Sequence, residues 1–397
     1  MMNMAAVLWH VSLLVAPEDK GLALGLVGLV RIAPIIIFSL ISGVVADAFD
    51  RRKLMLASQI GMALVSITMA LLAFNGLQVL WPIYALTCLA AAFRAFDAPA
   101  RQSLIPNLVP RADLPNAISL NTIMFQIASV FGPALAGFVL GALGVGWAYT
   151  FDALSFLSTI VALVLMRNVP THNAGAPQEV SLRAAVAGLR FVFAAPLIRS
   201  SMLLDFFATF FSSATALLPI FVQDILKVGP SAYGLLYAAP AVGAAITSIA
   251  MVKLTDRIEH RGYTMVGAVL VYGLATVMFG ISQHYALTFA CLAITGAADT
   301  VSVVMRNLVR HLATPDHLRG RMTSVNMIFF MGGPQLGELE AGLIAHWAGA
   351  PFSVISGGIA CIIATIWVAV KTPPLRRYRR EDPLITSQPI VAEGISK

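Results

Sequence analysis

The chain has 397 residues, 58% of them hydrophobic and 11% charged, with a mean hydropathy of +0.84 and a net charge of +7. A soluble chain is about 25% charged, so a water-facing globular fold is excluded and lipid must be the solvent for this much apolar surface. The basic residues are spread over short segments without forming a patch, which excludes a nucleic-acid surface; Cys88, Cys291 and Cys361 form no CxxC pair, so neither a disulfide framework nor a zinc site is indicated.

A backbone that crosses lipid must pair its own polar groups, which leaves helices or closed barrels. The apolar runs here are continuous, not alternating, so helices are expected. Residues 1–16 are apolar but short, since sixteen helical residues rise only about 24 Å. They lack a basic start and a small-x-small cleavage site, so they do not read as a signal peptide. They read as the outer part of a first membrane helix that is apparently truncated, with the methionines at 1, 2 and 4 consistent with a start further upstream. Pro17-Glu18-Asp19-Lys20 is the turn that follows.

Helix 2 ends at a charged turn, Gly43-x-x-x-Asp47 followed by Arg51-Arg52-Lys53, and helix 3 occupies 54–74. Each flanking run is long enough to cross a ~30 Å hydrocarbon layer, which takes about 20 helical residues. Helix 4 is expected over 79–99, a basic loop over 101–115, helix 5 over 116–143 and helix 6 over 147–166. The stretch 167–196 differs: it is polar at first, then carries Arg183 and Arg190 seven apart, on one helical face, as a helix lying on the membrane surface would. The second part is expected to give helix 7 over 197–222, helix 8 over 233–254, helix 9 over 263–282, helix 10 over 285–305, helix 11 over 322–346 and helix 12 over 352–370. The tail from 371 is basic and ends in a Pro- and Ser-containing segment expected to be disordered.

The turns after the even-numbered helices, with the tail, hold 22 of the 26 Lys and Arg; the turns after the odd-numbered ones hold two, Lys20 and Lys227. The positive-inside rule then places the even-numbered turns and the tail in the cytoplasm.

The chain also repeats itself. At an offset of 205, Arg101, Pro110, Ser119, Asn121, Gly132, Ala136 and Gly137 meet the same residue types at Arg306, Pro315, Ser324, Asn326, Gly337, Ala341 and Gly342. The charged turn recurs as well, with Asp47 and Arg52 corresponding to Asp256 and Arg261. Two parallel six-helix units are therefore expected, with a substrate path between them near the midplane. The expected organisation is a bundle over 1–166, a cytoplasmic central loop over 167–196, a second bundle over 197–370 and a cytoplasmic tail over 371–397.

The turn Gly43-x-x-x-Asp47 with Arg51-Arg52-Lys53 resembles the signature loop between helices 2 and 3 of the major facilitator superfamily, although Ala48 stands where the family usually has Arg. The runs Phe96-Asp97-Ala98-Pro99-Ala100-Arg101-Gln102, Leu114-Pro115-Asn116-Ala117, Gly132-Pro133-Ala134 and Gly333-Pro334-Gln335-Leu336-Gly337-Glu338-Leu339-Glu340-Ala341-Gly342 are similar to its transmembrane secretion effector branch, which includes the enterobactin exporter. The resemblance implies an all-α membrane protein of the major facilitator fold, with twelve transmembrane helices in two six-helix bundles. It also implies a secondary active transporter, not an enzyme, exporting an amphiphilic small molecule such as a siderophore or a drug by proton antiport. Proton-coupled nutrient uptake and a transport-inactive sensor or scaffold are the alternatives. The implied setting is the bacterial inner membrane, as a monomer. No G-x-x-x-x-G-K motif is present, so direct drive by ATP is not expected, and neither is a cofactor or metal.

Gly132-Pro133-x-x-x-Gly137 in helix 5 resembles the antiporter motif of drug exporters. Small residues let helices approach closely and Pro frees a carbonyl, so the stretch suits a sealed but bendable seam; plain helix packing is the competing explanation. Charges within the bilayer are costly and face a cavity or a partner. The candidates are Arg31, Arg94, Asp97, Asp152, Asp205, Asp299, Glu338 and Glu340. Arg94 and Asp97 are three apart, so mutual neutralisation is one reading. Glu338 and Glu340 are about 200° apart on a helix and cannot both face one cavity. The proton carrier is expected among these carboxylates, because no histidine is expected deep in a helix. Asp47, with Gly43, closes helix 2 where the helix carbonyls already make the potential negative, so it needs a positive partner. The resemblance makes this turn and its repeat, with Arg51, Arg52, Asp256 and Arg261, a conformational latch.

Overall fold

Every regular element described is helical in a computed structural model of the chain, which describes residues 1–48, 50–110, 112–166, 190, 192–314 and 319–380, with side chains in 39–48, 102–107 and 319–331 described only in part. The first six helices are α1 (Met2–Leu14), α2 (Lys20–Ala48), α3 (Arg51–Phe74), α4 (Trp81–Leu108), α5 (Leu114–Ala142) and α6 (Val145–Leu165). The next six are α7 (Pro196–Phe211), α8 (Pro230–Leu254), α9 (Arg261–Ile281), α10 (Tyr285–Ala313), α11 (Arg319–Ala348) and α12 (Ala350–Lys371). A short α13 (Pro373–Arg377) closes the described chain.

Nine of the helices among the described residues are long and apolar enough to cross a membrane. The helices' outward faces are apolar: Phe138 is 64% exposed, Trp81 71% and Trp347 87%, a surface that only lipid tolerates. The starts are specified locally. Asp50 caps α3, its Oδ1 accepting from the backbone N–H of Arg52 at 2.9 Å. Gly144 and Gly349, with φ of 91° and 88°, turn the chain into α6 and α12 in a conformation that a side chain would strain.

Three expectations change. Helices α4, α10 and α11 have 28, 29 and 30 residues and run past the expected ends at 99, 305 and 346. At 1.5 Å per residue they exceed a ~30 Å core, and their ends pass through the headgroup layer, where an Arg continues a helix without penalty. The basic loop expected from 101 is therefore largely helix, and Arg306 and Arg310, counted above among turn charges, lie inside α10 and are buried. Helix 7 is not continuous: after Phe211 come a 3-10 turn (Ala214–Leu217), a helical turn (Leu218–Ile220) and a π turn (Phe221–Ile225). Gly337 of α11 and Gly357 of α12 lie against the carbonyls of Phe210 and Phe211, so neighbouring helices cover the backbone at the break.

The expected surface helix around Arg183 and the segment beyond 380 lie outside the described residues. The start of the tail is ordered by packing. Leu375 and Tyr378 are buried, the Gly262 N–H donates to the Tyr378 carbonyl at 3.0 Å, and the Arg380 N–H donates to Glu259 at 2.9 Å.

Packing divides into two groups. In the first, α2 and α3 lie on α4, α3 lies on α6, and α1 lies on α5 and α6. In the second, α8 and α9 lie on α10, α9 on α12, and α7 on α11 and α12. The groups meet chiefly where α2 crosses α11 and where α5 crosses α8. Both crossings are glycine on glycine. A Cβ on Gly137 would lie 2.5 Å from the Gly234 Cα, and one on Gly342 would lie 2.5 Å from the Gly25 Cα. The two crossings are copies of each other: Gly137 and Gly342 are related by the 205 offset, and Gly25 and Gly234 by the 209 offset that also relates Asp47 to Asp256. An internal repeat that pairs with its own copy gives a pseudo-two-fold seam, and close approach of two backbones explains why glycine recurs there.

Candidate transport path between the two helix groups

Among the described residues the seam is closed at one end only. Gly21, Gly25 and Gly28 of α2 press on α11 between Gln335 and His346, and Gly137 and Gly141 of α5 press on Pro230–Gly234 of α8. Both contacts lie toward the end opposite the basic turns. The same helix faces are uncovered further along. Ile36 shares the α2 stripe of Gly25, eleven residues on, and is 60% exposed. On α5, Ile123 and Ser119 share the stripe of Gly137 and are exposed; on α8, Val252 is five whole turns from Gly234 and exposed. The two groups therefore part toward the basic end.

Polar bonds bind the closed end. Lys20 is only 6% exposed, and its Nζ meets Asp224 at 2.9 Å and donates to Gln223 Oε1 at 2.8 Å. Gln223 donates in turn to Ser12 Oγ at 2.8 Å, and Tyr233 donates to the Ala5 carbonyl at 3.0 Å. Lys20 was expected in a turn; it opens α2 instead and bonds across the seam to the π turn that ends the broken helix 7. A Lys outside the apolar runs carries no sequence signal of this role, because its partner lies some two hundred residues away.

At mid-depth the predicted charges separate into distinct groups. Arg31 of α2 and Glu338 of α11 pair across the seam at 3.4 Å. Glu338 is 8% exposed while Glu340 is only half-buried, so the two carboxylates face different ways as their spacing requires. Asp97, 1% exposed, accepts from Gln59 Nε2 at 2.9 Å and is paired with Arg101. Its neutralising partner is thus Arg101, one helical turn on, and not Arg94. Asp152 accepts from Ser66 at 2.7 Å and from Asn3 at 2.9 Å.

In the second group Arg306 is completely buried. It reaches Asp205 of α7 at 2.8 Å, Asp299 at 3.3 Å and Ser302 Oγ at 2.9 Å. Arg310 bonds to Asn307 and to Asn326 of α11. The repeat could have located Arg306, since it matches Arg101, but Arg101 takes its acid from its own helix and Arg306 takes Asp205 from another. A histidine does lie deep in a helix, against expectation: His10 of α1 is 6% exposed and shares a 3.2 Å hydrogen bond with Tyr149.

Of the latch residues, the side chains of Gly43 and Asp47 lie outside those described. Arg52 donates to the carbonyls of Leu163 at 2.7 Å and Val164 at 3.0 Å, tying α3 to the end of α6. Asp256 is exposed and its carbonyl accepts from Arg380, while Arg261 is buried beneath the tail. The motif Gly132-Pro133-x-x-x-Gly137 is divided: Gly132 faces Met1, whereas the Pro133 carbonyl and Gly137 face Gly234 across the seam. Among the described residues no cluster of His, Cys, Asp and Glu has metal-binding geometry.

Two helix groups, closed on each other at one end and parted at the other with charges at mid-depth, define a membrane transporter of the major facilitator fold and not an enzyme. The chain belongs to the transmembrane secretion effector family, whose sequence pattern it matches over residues 2–395. It is 27% identical over 348 residues to the enterobactin exporter EntS of Escherichia coli O1:K1, covering 88% of this chain and 83% of that protein. EntS of Shigella boydii serotype 18 is equally similar, at 27% over the same length and coverage. Among solved structures, a bacterial homologue of the human lysosomal transporter Spinster, inward-facing and unoccupied, superposes with a TM-score of 0.69 at 16% identity, covering 95% of this chain and 96% of that one. A D-xylose–proton symporter superposes with a TM-score of 0.67 at 12% identity, covering 95% and 98%.

Proposed function

We propose that the protein exports an amphiphilic small molecule, a siderophore or a drug, across the bacterial inner membrane by proton-coupled alternating access. The observation that carries this reading is the seam: the same helix faces touch at Gly25 and Gly137 and stand open at Ile36 and Ile123. A molecule with one closed and one open end needs only to rock about its midpoint to exchange them. In this reading 1–166 and 197–370 are the two rocking bundles, and the unit is a monomer. The open end is the basic end, and the charge bias puts it in the cytoplasm, so the structure is an inward-open state ready to load. The similarity to enterobactin exporters supports export and a siderophore-sized cargo.

The topology has a direct check. A reporter fused after Arg380 reads cytoplasmic and one inserted between Asn75 and Gln78 reads external; the reverse pattern sinks the inward-open assignment.

Coupling is tested in inverted vesicles with enterobactin and a macrolide as probes. Accumulation is expected when the interior is acid and stops when a protonophore collapses the gradient. Carboxylates at mid-depth are the candidate carriers, because a charge held in lipid is costly and a bound proton removes it. At least one of Asp205→Asn, Glu338→Gln and Glu340→Gln is expected to abolish the response to the gradient. If all three respond as the wild type does, the carrier lies elsewhere, with Asp97 and Asp299 next. Accumulation in the opposite vesicle orientation makes the protein an importer.

A further inference from the structure

Arg94 is a mid-depth cation with no partner among the described residues. It makes no hydrogen bond or ion pair with any described residue, although the acids around it are engaged, Asp97 by Gln59 and Arg101 and Asp152 by Ser66 and Asn3, as is Arg31 by Glu338. It is also exposed. Helical phase shows to what. Trp81 and Leu89 mark the lipid face of α4, at 71% and 46% exposure. Arg94 lies ~180° round from their midpoint, by 100° per residue. It shares its stripe with Ile83 and Thr87, which are buried at 2% and 7%. The inner stripe of α4 is thus packed near the closed end and opens at Arg94, which places the guanidinium in the space between the helix groups. The charges that act on it are Arg31 of α2, Asp152 of α6, and Asp97 and Arg101 of its own helix.

The repeat sharpens the point. Arg94 and Asp299 occupy equivalent positions, each seven residues before the arginine the two units share, Arg101 and Arg306. The path therefore carries opposite charge at matched depth on its two walls. Asp299 is held by Arg306 at 3.3 Å, and Arg94 has no such counterpart. A guanidinium at bilayer depth needs an acceptor, and its fork of donors fits an oxyanion in two-point contact.

We infer that Arg94 receives an oxyanion on the transported molecule, so the cargo is an amphiphile with an apolar body and a carboxylate, sulfonate or phosphate group. This deepens, and rests on, the export reading above. The test is a binding measurement on the full chain in nanodiscs without any gradient. The probes are 8-anilinonaphthalene-1-sulfonate and N-phenyl-1-naphthylamine, which share an apolar body and differ by the sulfonate. The wild type is expected to favour the sulfonate by about tenfold or more. Arg94→Gln is expected to erase that preference while holding the neutral probe within about threefold, and Arg94→Lys to keep part of it, since a lysine retains the charge without the fork. An unchanged preference in Arg94→Gln overturns the inference. So does equal loss of both probes, which makes Arg94 a structural residue, and so does a wild type without preference. Because no gradient is applied, sulfonate selectivity without proton coupling sinks the coupling reading alone, and coupled efflux with no role for Arg94 sinks this inference alone.

Discussion

Gly137→Leu is expected to lose transport by about tenfold or more while the protein still folds. Any Cβ at 137 would sit 2.5 Å from the Gly234 Cα and 2.7 Å from both the Gly234 nitrogen and the Pro230 carbonyl oxygen. These are backbone atoms, so no rotamer change can make room. Overpacking of this kind costs roughly 1–3 kcal/mol, and the strain disappears if the two helix groups separate at this end. The substitution therefore penalises the closed end alone, and 1.4 kcal/mol already shifts a two-state balance by about tenfold. Leu24→Cys, at a position with no exposure at the closed end, supplies the readout: an external maleimide should label it faster in the Gly137→Leu background. Gly342→Leu is the copy of the same change under the repeat and should behave alike. Normal transport and unchanged labelling in both would mean that the glycine seam is ordinary packing.

The second large effect is on stability. Arg306→Gln leaves the Asp205 carboxylate, 2% exposed, without the guanidinium 2.8 Å away, and frees Asp299 as well. Breaking a buried pair from one side costs about 3–5 kcal/mol, since the remaining charge stays desolvated. For a chain of this size that is a fall in melting temperature on the order of 10 °C. Adding Asp205→Asn should recover much of the loss, because replacing both partners removes the uncompensated charge. A melting temperature within a degree or two of the wild type for Arg306→Gln, or a double variant less stable than the single, would show that the network is not what holds α7 to α10.

The membrane-spanning helices were legible from residue order alone because lipid imposes a one-dimensional rule. A spanning segment must be apolar, helical and about 20 residues long whatever surrounds it. The repeat was legible for a related reason, since Gly137 and Gly342 fill the same backbone requirement twice. Individual charges were assigned less well. Arg94 and Asp97 lie three apart, which suggests a pair, but Asp97 turns to Arg101 and Gln59. Arg306 resembled a turn charge because nothing local shows that α10 continues past it or that Asp205 waits on another helix. Lys20 and Asp224 bond across some two hundred residues, and His10 is deep because α6 brings Tyr149 to it.

Sequence by itself thus determined the elements, their membrane setting, the repeat and the list of ionisable groups, all consequences of the solvent that each segment must meet. Only the tertiary structure decided which charges neutralise one another, which end of the seam is closed among the described residues and which cation has no partner among them. Those are properties of distance between helices, and a charge in lipid is satisfied by whatever lies within a few ångströms of it, however far away along the chain.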